Sequence, residues 1–180
     1  GHMWELYAMW TWAAVFFADV LALRGYAADA ASRGSALVGF AVIGVGAAGC
    51  VVAGRWADRI GRARVTIWAM AASGICALLI GWLARAPLPL VVAVALVWGF
   101  AVVADSAQFS AIITEVAPAH AVGTALTLQT SLGFLLTTVT ISAVPALRDR
   151  AGWPLAFGVL AIGPALGILS MRRLAPPRPR

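Results

Sequence analysis

Apolar residues fall into six long runs along this chain, broken by short stretches that are polar, charged or rich in proline. The runs cover about 3–23, 35–53, 65–84, 90–114, 122–147 and 153–171. Each is close to the roughly 20 apolar residues that cross the hydrocarbon core of a bilayer. The breaks are of different kinds. Arg24-Gly25 opens a small-residue stretch over 25–34, and Arg85-Ala86-Pro87-Leu88-Pro89 makes a tight turn. Glu115 to His120 is polar, with Pro118 interrupting the helical pattern, and Arg148-Asp149-Arg150 closes the fifth run. The pattern predicts an all-α membrane protein of six transmembrane helices, followed by a basic Pro/Arg tail over 175–180 that cannot pack and is expected to be disordered.

Composition agrees with that pattern. The chain is 62% hydrophobic and 11% charged, against about 25% charged in soluble domains. Six spans use nearly all of its 180 residues, which leaves no room for a soluble domain. The net charge of +6 raises nucleic acid as a partner. However, the basic residues sit at the ends of apolar runs, where membrane proteins place them, and no basic face interleaved with exposed aromatics is present. All 13 basic residues are arginine, a bias that fits a GC-rich bacterial genome. Cys50 and Cys76 each lie inside an apolar run and read as small packing residues. Trp4, Trp10, Trp12, Trp56, Trp82 and Trp153 mostly fall near run ends, as interfacial anchors do.

The break between the second and third runs is different. Gly54-Arg55-Trp56-Ala57-Asp58-Arg59-Ile60-Gly61-Arg62-Ala63-Arg64 holds four arginines and one aspartate. A plain basic anchor would accept arginines in any order. It would not require Gly54, Asp58 four residues on, and Gly61. The order G-x-x-x-D-R-x-G-R resembles the signature loop of the major facilitator superfamily, which joins the second and third helices of each six-helix half. The resemblance covers the whole chain and implies one half of such a fold. It also implies a role for Gly54, Asp58, Arg59, Gly61 and Arg62 as a conformational-switch loop, whose arginines pair with an acid at the cytoplasmic end of the fourth helix. Glu115 is the natural partner for Arg62 or Arg59. Ala63 departs from the pattern, since many members carry a second basic residue there.

Ionisable residues inside spans need a reason, because a charge at the bilayer centre costs roughly 2.5–3.5 kcal/mol on insertion scales. Glu5 and Asp105 are candidates for a substrate or proton cavity, together with Gln108 and Gln129. Asp105, Gln108, Ile112 and Glu115 share one helical face by their spacing. Asp19 lies near the outer end of its span, where a backbone or Ser/Thr partner at a helix contact is the simpler expectation. The threonines of the fifth run can bond to carbonyls of their own helix. Gly44-Val-Gly46-Ala-Ala-Gly49 matches G-x-G-x-x-G literally, but a dinucleotide loop needs a preceding strand and a later acid. Inside an apolar span, glycines at this density serve close helix approach.

With His2 and His120 both at span ends, no nucleophile–base pair and no metal-ligand cluster are apparent, so neither an enzyme, a metal site nor a cofactor is expected. Arginines 55, 59, 62, 64, 172, 173, 178 and 180 fall on one side of a six-span arrangement and 24, 33, 85, 148 and 150 on the other. The signature loop and tail are therefore expected to be cytoplasmic, in a bacterial inner membrane. The start of the chain reads as internal and its end as a natural C-terminus. The resulting expectation is the C-terminal half of a twelve-helix secondary transporter for a small solute, its partners being the bilayer and a missing N-terminal half. The rival is a stand-alone six-span assembly protein that dimerises.

Overall fold

The computed structural model describes residues 1–173. The 175–180 tail, with Arg178 and Arg180, lies outside the described residues. Seven α-helices follow in order: α1 (His2–Ala22), α2 (Ala28–Ile60), α3 (Arg62–Ile80), α4 (Leu88–Ala104), α5 (Ser106–Val116), α6 (Val122–Gly158) and α7 (Ile162–Met171). Short 3-10 turns at Trp82–Arg85, Ala119–Ala121 and Val159–Ala161 link them.

Among the described residues, five continuous helical stretches are long and apolar enough to cross a membrane, not six. The difference arises at one residue. The last stretch, Ala119–Met171, has 53 residues, or about 80 Å at 1.5 Å per residue, far more than a bilayer is thick. Gly152 interrupts it at φ 76°, ψ −177°, a conformation that residues with a Cβ avoid. Packing against α1 shows what the interruption does. Before it, Thr137 bonds to the Met3 carbonyl, Trp12 to that of Ile141 and Arg148 to Asp19, so chain and α1 run the same way. After it, Trp153 and Phe157 stack on Phe16, and Trp4 bonds to the Val159 carbonyl, so the direction has reversed. The expected loop between fifth and sixth runs is thus a one-residue turn. Pro154 follows it in the first turn of the new arm, where its missing N–H is not needed.

The signature stretch is not a loop either. α2 continues through Gly54, Asp58 and Arg59 to Ile60, and α3 starts at Arg62. Only Gly61 leaves helical geometry, at φ 95°. With 33 residues, α2 is about 50 Å long and projects beyond the roughly 30 Å hydrocarbon core. Its ends are correspondingly charged, Asp29 pairing with Arg33 at 2.8 Å in solvent at one end and Arg55, Asp58 and Arg59 lying at the other. The fourth expected run is also divided, at Asp105 (φ −90°, ψ −12°), between α4 and α5.

The core lies among α1, α3, α4 and the two arms of the last stretch. Met9, Phe16, Phe17, Trp98 and Phe157 are its largest buried side chains. Edge-on aromatic contacts join Phe16 to Phe17, Trp153 and Phe157, and Trp98 to Phe157. The outer surface is apolar: Phe40 is 78% and Leu37 70% exposed, an arrangement that lipid or a partner surface makes favourable. At the end opposite Gly61, Arg24 donates to the carbonyls of Val20 (2.6 Å), Ala84 (2.9 Å) and Ala86. This fastens the turn before α4 onto α1.

α2 and α4 touch through glycine. A Cβ on Gly99 would meet the Val42 carbonyl, and one on Gly49 the Phe100 carbonyl. Of the G-x-G-x-x-G sequence, Gly46 and Gly49 therefore serve helix contact with α4, while Gly44 faces open space. Gly99→Val should destabilise the protein by about 1–3 kcal/mol through overpacking, read as a lower unfolding midpoint in detergent. Gly123→Ala, in open space on α6, should be neutral or slightly stabilising.

Candidate functional site

Along the contact of α1, α3, α4 and α5, polar side chains form a ladder from the interior to the Gly61 turn. The innermost rung is Glu5, 1% exposed. Trp98 Nε1 donates to its Oε1 at 2.7 Å and Ser73 Oγ to its Oε2 at 2.9 Å. A carboxyl group removed from water needs such partners, and here two other helices supply them. The seven-residue spacing of Glu5, Trp12 and Asp19 points all three inward from α1, though toward separate neighbours.

His2 and Asp105 form the next rung. His2 Nδ1 lies 2.8 Å from Asp105 Oδ1, and its Nε2 is 2.9 Å from Ser106 Oγ. The first of these is close but poorly aligned, so Asp105 Oδ1 is buried without a hydrogen-bond partner. Phe109 stacks at a tilt on the His2 ring, 5.4 Å between centroids. Beside this rung, His2, Met3, Phe109, Gln129 and Leu132 help line a cavity of about 280 Å3. Gln129 on α6 is half-buried in that wall.

The outermost rung belongs to Arg62. Its Nε donates to Glu115 Oε1 at 2.7 Å, its Nη1 to Gln108 Oε1 at 3.1 Å, and its Nη2 lies 3.9 Å from Asp58 Oδ1. Gln108 is 1% exposed and lies beneath the guanidinium. Asp105, Gln108, Ile112 and Glu115 are spaced by three, four and three residues, which places them on one face of α5 over about 15 Å. The Arg62–Glu115 pair borders a cavity of about 230 Å3 at the turn. Arg59, the other expected partner of Glu115, forms no ion pair among the described residues. Gly54 lies in open space on α2, and Gly61 supplies the turn.

The geometry thus joins Glu5, Asp105, Gln108, Arg62, Glu115 and Asp58 into one file. Gln129 stands beside it, and Gly54 and Arg59 stand apart. A family comparison now bears on this arrangement: the Major Facilitator Superfamily model matches residues 6–180. The chain belongs to the major facilitator superfamily. Searches of curated proteins and of solved structures return no match. Membership makes this an integral membrane protein with the general transport role of the superfamily.

Two members of the site, His2 and Trp98, and the partners of Asp19 outside it escape sequence reasoning. His2 reads as a span-end residue, yet it is the neighbour of Asp105. Trp98 carried the available signal, since it falls in mid-span where an indole N–H must find an acceptor. Asp19 meets a neighbouring helix but not through the expected backbone or hydroxyl partner: Arg148 reaches its Oδ2 at 2.6 Å and Trp153 Nε1 at 2.9 Å. Arg148 also lies over the Trp153 ring at 5.2 Å. The fifth-run threonines behave as expected, Thr127, Thr137 and Thr138 each donating to the carbonyl one turn back.

Removing one donor from Glu5 tests the innermost rung. Trp98→Phe should lower stability by about 1–3 kcal/mol, the penalty for leaving a buried polar group short of a partner. Thermal unfolding in detergent, set against Trp82→Phe on the exposed surface, gives the comparison.

Proposed function

We propose that this chain is the C-terminal half of a twelve-helix secondary transporter that moves a small solute by alternating access. Arg62 carries the reading. One guanidinium ties the α2–α3 turn to Gln108 and Glu115 on α5, so α5 cannot swing from the turn without breaking charge-assisted bonds. Such a contact holds one conformation closed and releases another. Arg62 is 30% and Glu115 57% exposed, so the pair stabilises the fold little and serves better as a switch than as a brace.

A missing half fits the surface of α6. Thr124, Thr127, Ser131 and Thr138 are exposed on one face of that helix, where lipid would favour apolar residues. Superfamily carriers place their substrate near the midplane between halves. The cavity beside His2, Phe109 and Gln129 is lined by the other face of α6, through Gln129, Leu132, Gly133 and Leu136. Asp105, its Oδ1 short of a partner beside an imidazole, supports proton coupling, with Glu5 as the second carboxyl group. The arginines at the Gly61 turn and at 172–173 favour a cytoplasmic position for that end, in a bacterial inner membrane. Transport by this arrangement requires no covalent step, and no enzymatic role is proposed.

The gene upstream of Gly1 should continue in frame through about six further apolar spans. A start codon immediately upstream would leave the six-span assembly protein instead. With the whole protein in proteoliposomes, a solute panel should identify an uptake activity that Glu115→Gln changes on the order of fivefold, with unfolding shifted by less than about 1 kcal/mol. The exchange Arg62→Glu with Glu115→Arg should restore part of that activity. If Glu115→Gln leaves both readouts unchanged, the switch role is wrong. For coupling, Asp105→Asn should abolish uptake driven by a pH gradient while leaving solute counterflow within about twofold of the unaltered protein. Equal loss of both would instead assign Asp105 to solute binding or folding.

A further inference from the structure

On the side of α2, α3 and α4 away from the ladder, the protein carries an apolar groove of about 320 Å3. Ala53, Ala69 and Ala101, all buried, lie along its floor. Trp56 of α2 and Trp68 of α3 line it while remaining 51% and 55% exposed. Aromatic walls over a small-residue floor make a furrow, whereas larger residues at those alanines would have made a convex lipid-facing surface.

The furrow leads toward the Gly61 turn. Arg59 lies three residues beyond Trp56 on α2, and Arg64 four residues before Trp68 on α3, so each continues the face of its tryptophan by one turn. Neither makes a side-chain hydrogen bond or ion pair among the described residues. Arg62, between them in sequence, is by contrast fully engaged with Asp58, Gln108 and Glu115. Asp58 follows Trp56 by two residues, which turns it to the other side of α2. An apolar slot thus ends beneath two uncommitted guanidinium groups at the membrane surface.

We propose that this groove binds one anionic phospholipid, with an acyl chain between Trp56 and Trp68 and its phosphodiester held by Arg59 and Arg64. Guanidinium and phosphate match in geometry and charge. A zwitterionic lipid offers the same chain, but its own cation competes for the phosphate, so the arginines select the anionic headgroup. The site goes beyond the transport reading, since its groove is separate from the cavity beside Gln129, although Arg64 also lines the cavity at the Gly61 turn.

Tryptophan quenching by phosphatidylglycerol or phosphatidylcholine with brominated chains, titrated into the whole protein in nonionic detergent, tests this. The signal from the groove is the part lost in a Trp56→Phe/Trp68→Phe variant. That part should quench at lower phosphatidylglycerol than phosphatidylcholine concentration, by about fivefold for each arginine. Arg59→Gln/Arg64→Gln should erase the preference while quenching persists at high lipid. Ala72→Leu, which fills the groove, should weaken quenching by both lipids, with circular dichroism confirming that each variant is folded. Equal quenching by the two lipids in the unaltered protein, or a preference that survives loss of both arginines, would overturn the proposal. So would displacement of the phosphatidylglycerol by millimolar inorganic phosphate, which would mark a headgroup-sized anion site instead.

Discussion

Inside hydrocarbon no water is available to satisfy a backbone N–H or carbonyl, and each group left alone costs several kcal/mol. The rest of this structure depends on that constraint. It keeps the chain helical almost without interruption, so departures from the helix are confined to places where something else can accept or donate. Gly61 and Gly152 are single-residue turns next to charged ends. The turn before α4 has its carbonyls met by Arg24. The division at Asp105 is bridged at once by bonds from Gln108 and Phe109 amides to the Asp105 carbonyl.

The same economy governs side chains. Glu5 is answered by Trp98 and Ser73, Asp19 by Arg148 and Trp153, and Gln108 by Arg62. Each of these bonds joins two different elements, so the polar groups set the register between helices that apolar packing alone would leave loose. Among the described residues Trp10 Nε1, Thr66 Oγ1 and Asp105 Oδ1 are buried without a hydrogen bond. Asp105 is the one carboxyl group of the three, with only the misaligned His2 ring beside that oxygen. A chain that satisfies its other buried carboxyl groups so fully makes that shortfall the natural place to look for a mobile partner.

How much of this was legible in the sequence follows from the kind of signal each feature leaves. Apolar runs twenty residues long leave a strong one, and they placed the helices. The order of residues from Gly54 to Arg62 left another and pointed to Glu115. Turns made by one glycine leave almost none, because Gly152 is one of 18 glycines and its neighbours look like an ordinary polar break. That is why five continuous stretches stand where six separate ones were expected. Partners drawn from distant parts of the chain were also invisible: nothing near His2 announces Asp105, and nothing near Asp19 announces Arg148. Trp98 was readable in principle, since an indole in mid-span must bond to something.

The one-residue turn at Gly152 has a consequence for biogenesis. Its two arms are too tightly joined for one to wait in the aqueous phase while the other enters the bilayer. They must insert together as a helical hairpin, with Arg148, Asp149 and Arg150 at its tip. Asp19 on α1, made before the hairpin, then receives Arg148 as the hairpin arrives. The helix that carries Asp19 thereby acts as a template on which the two arms of the hairpin dock.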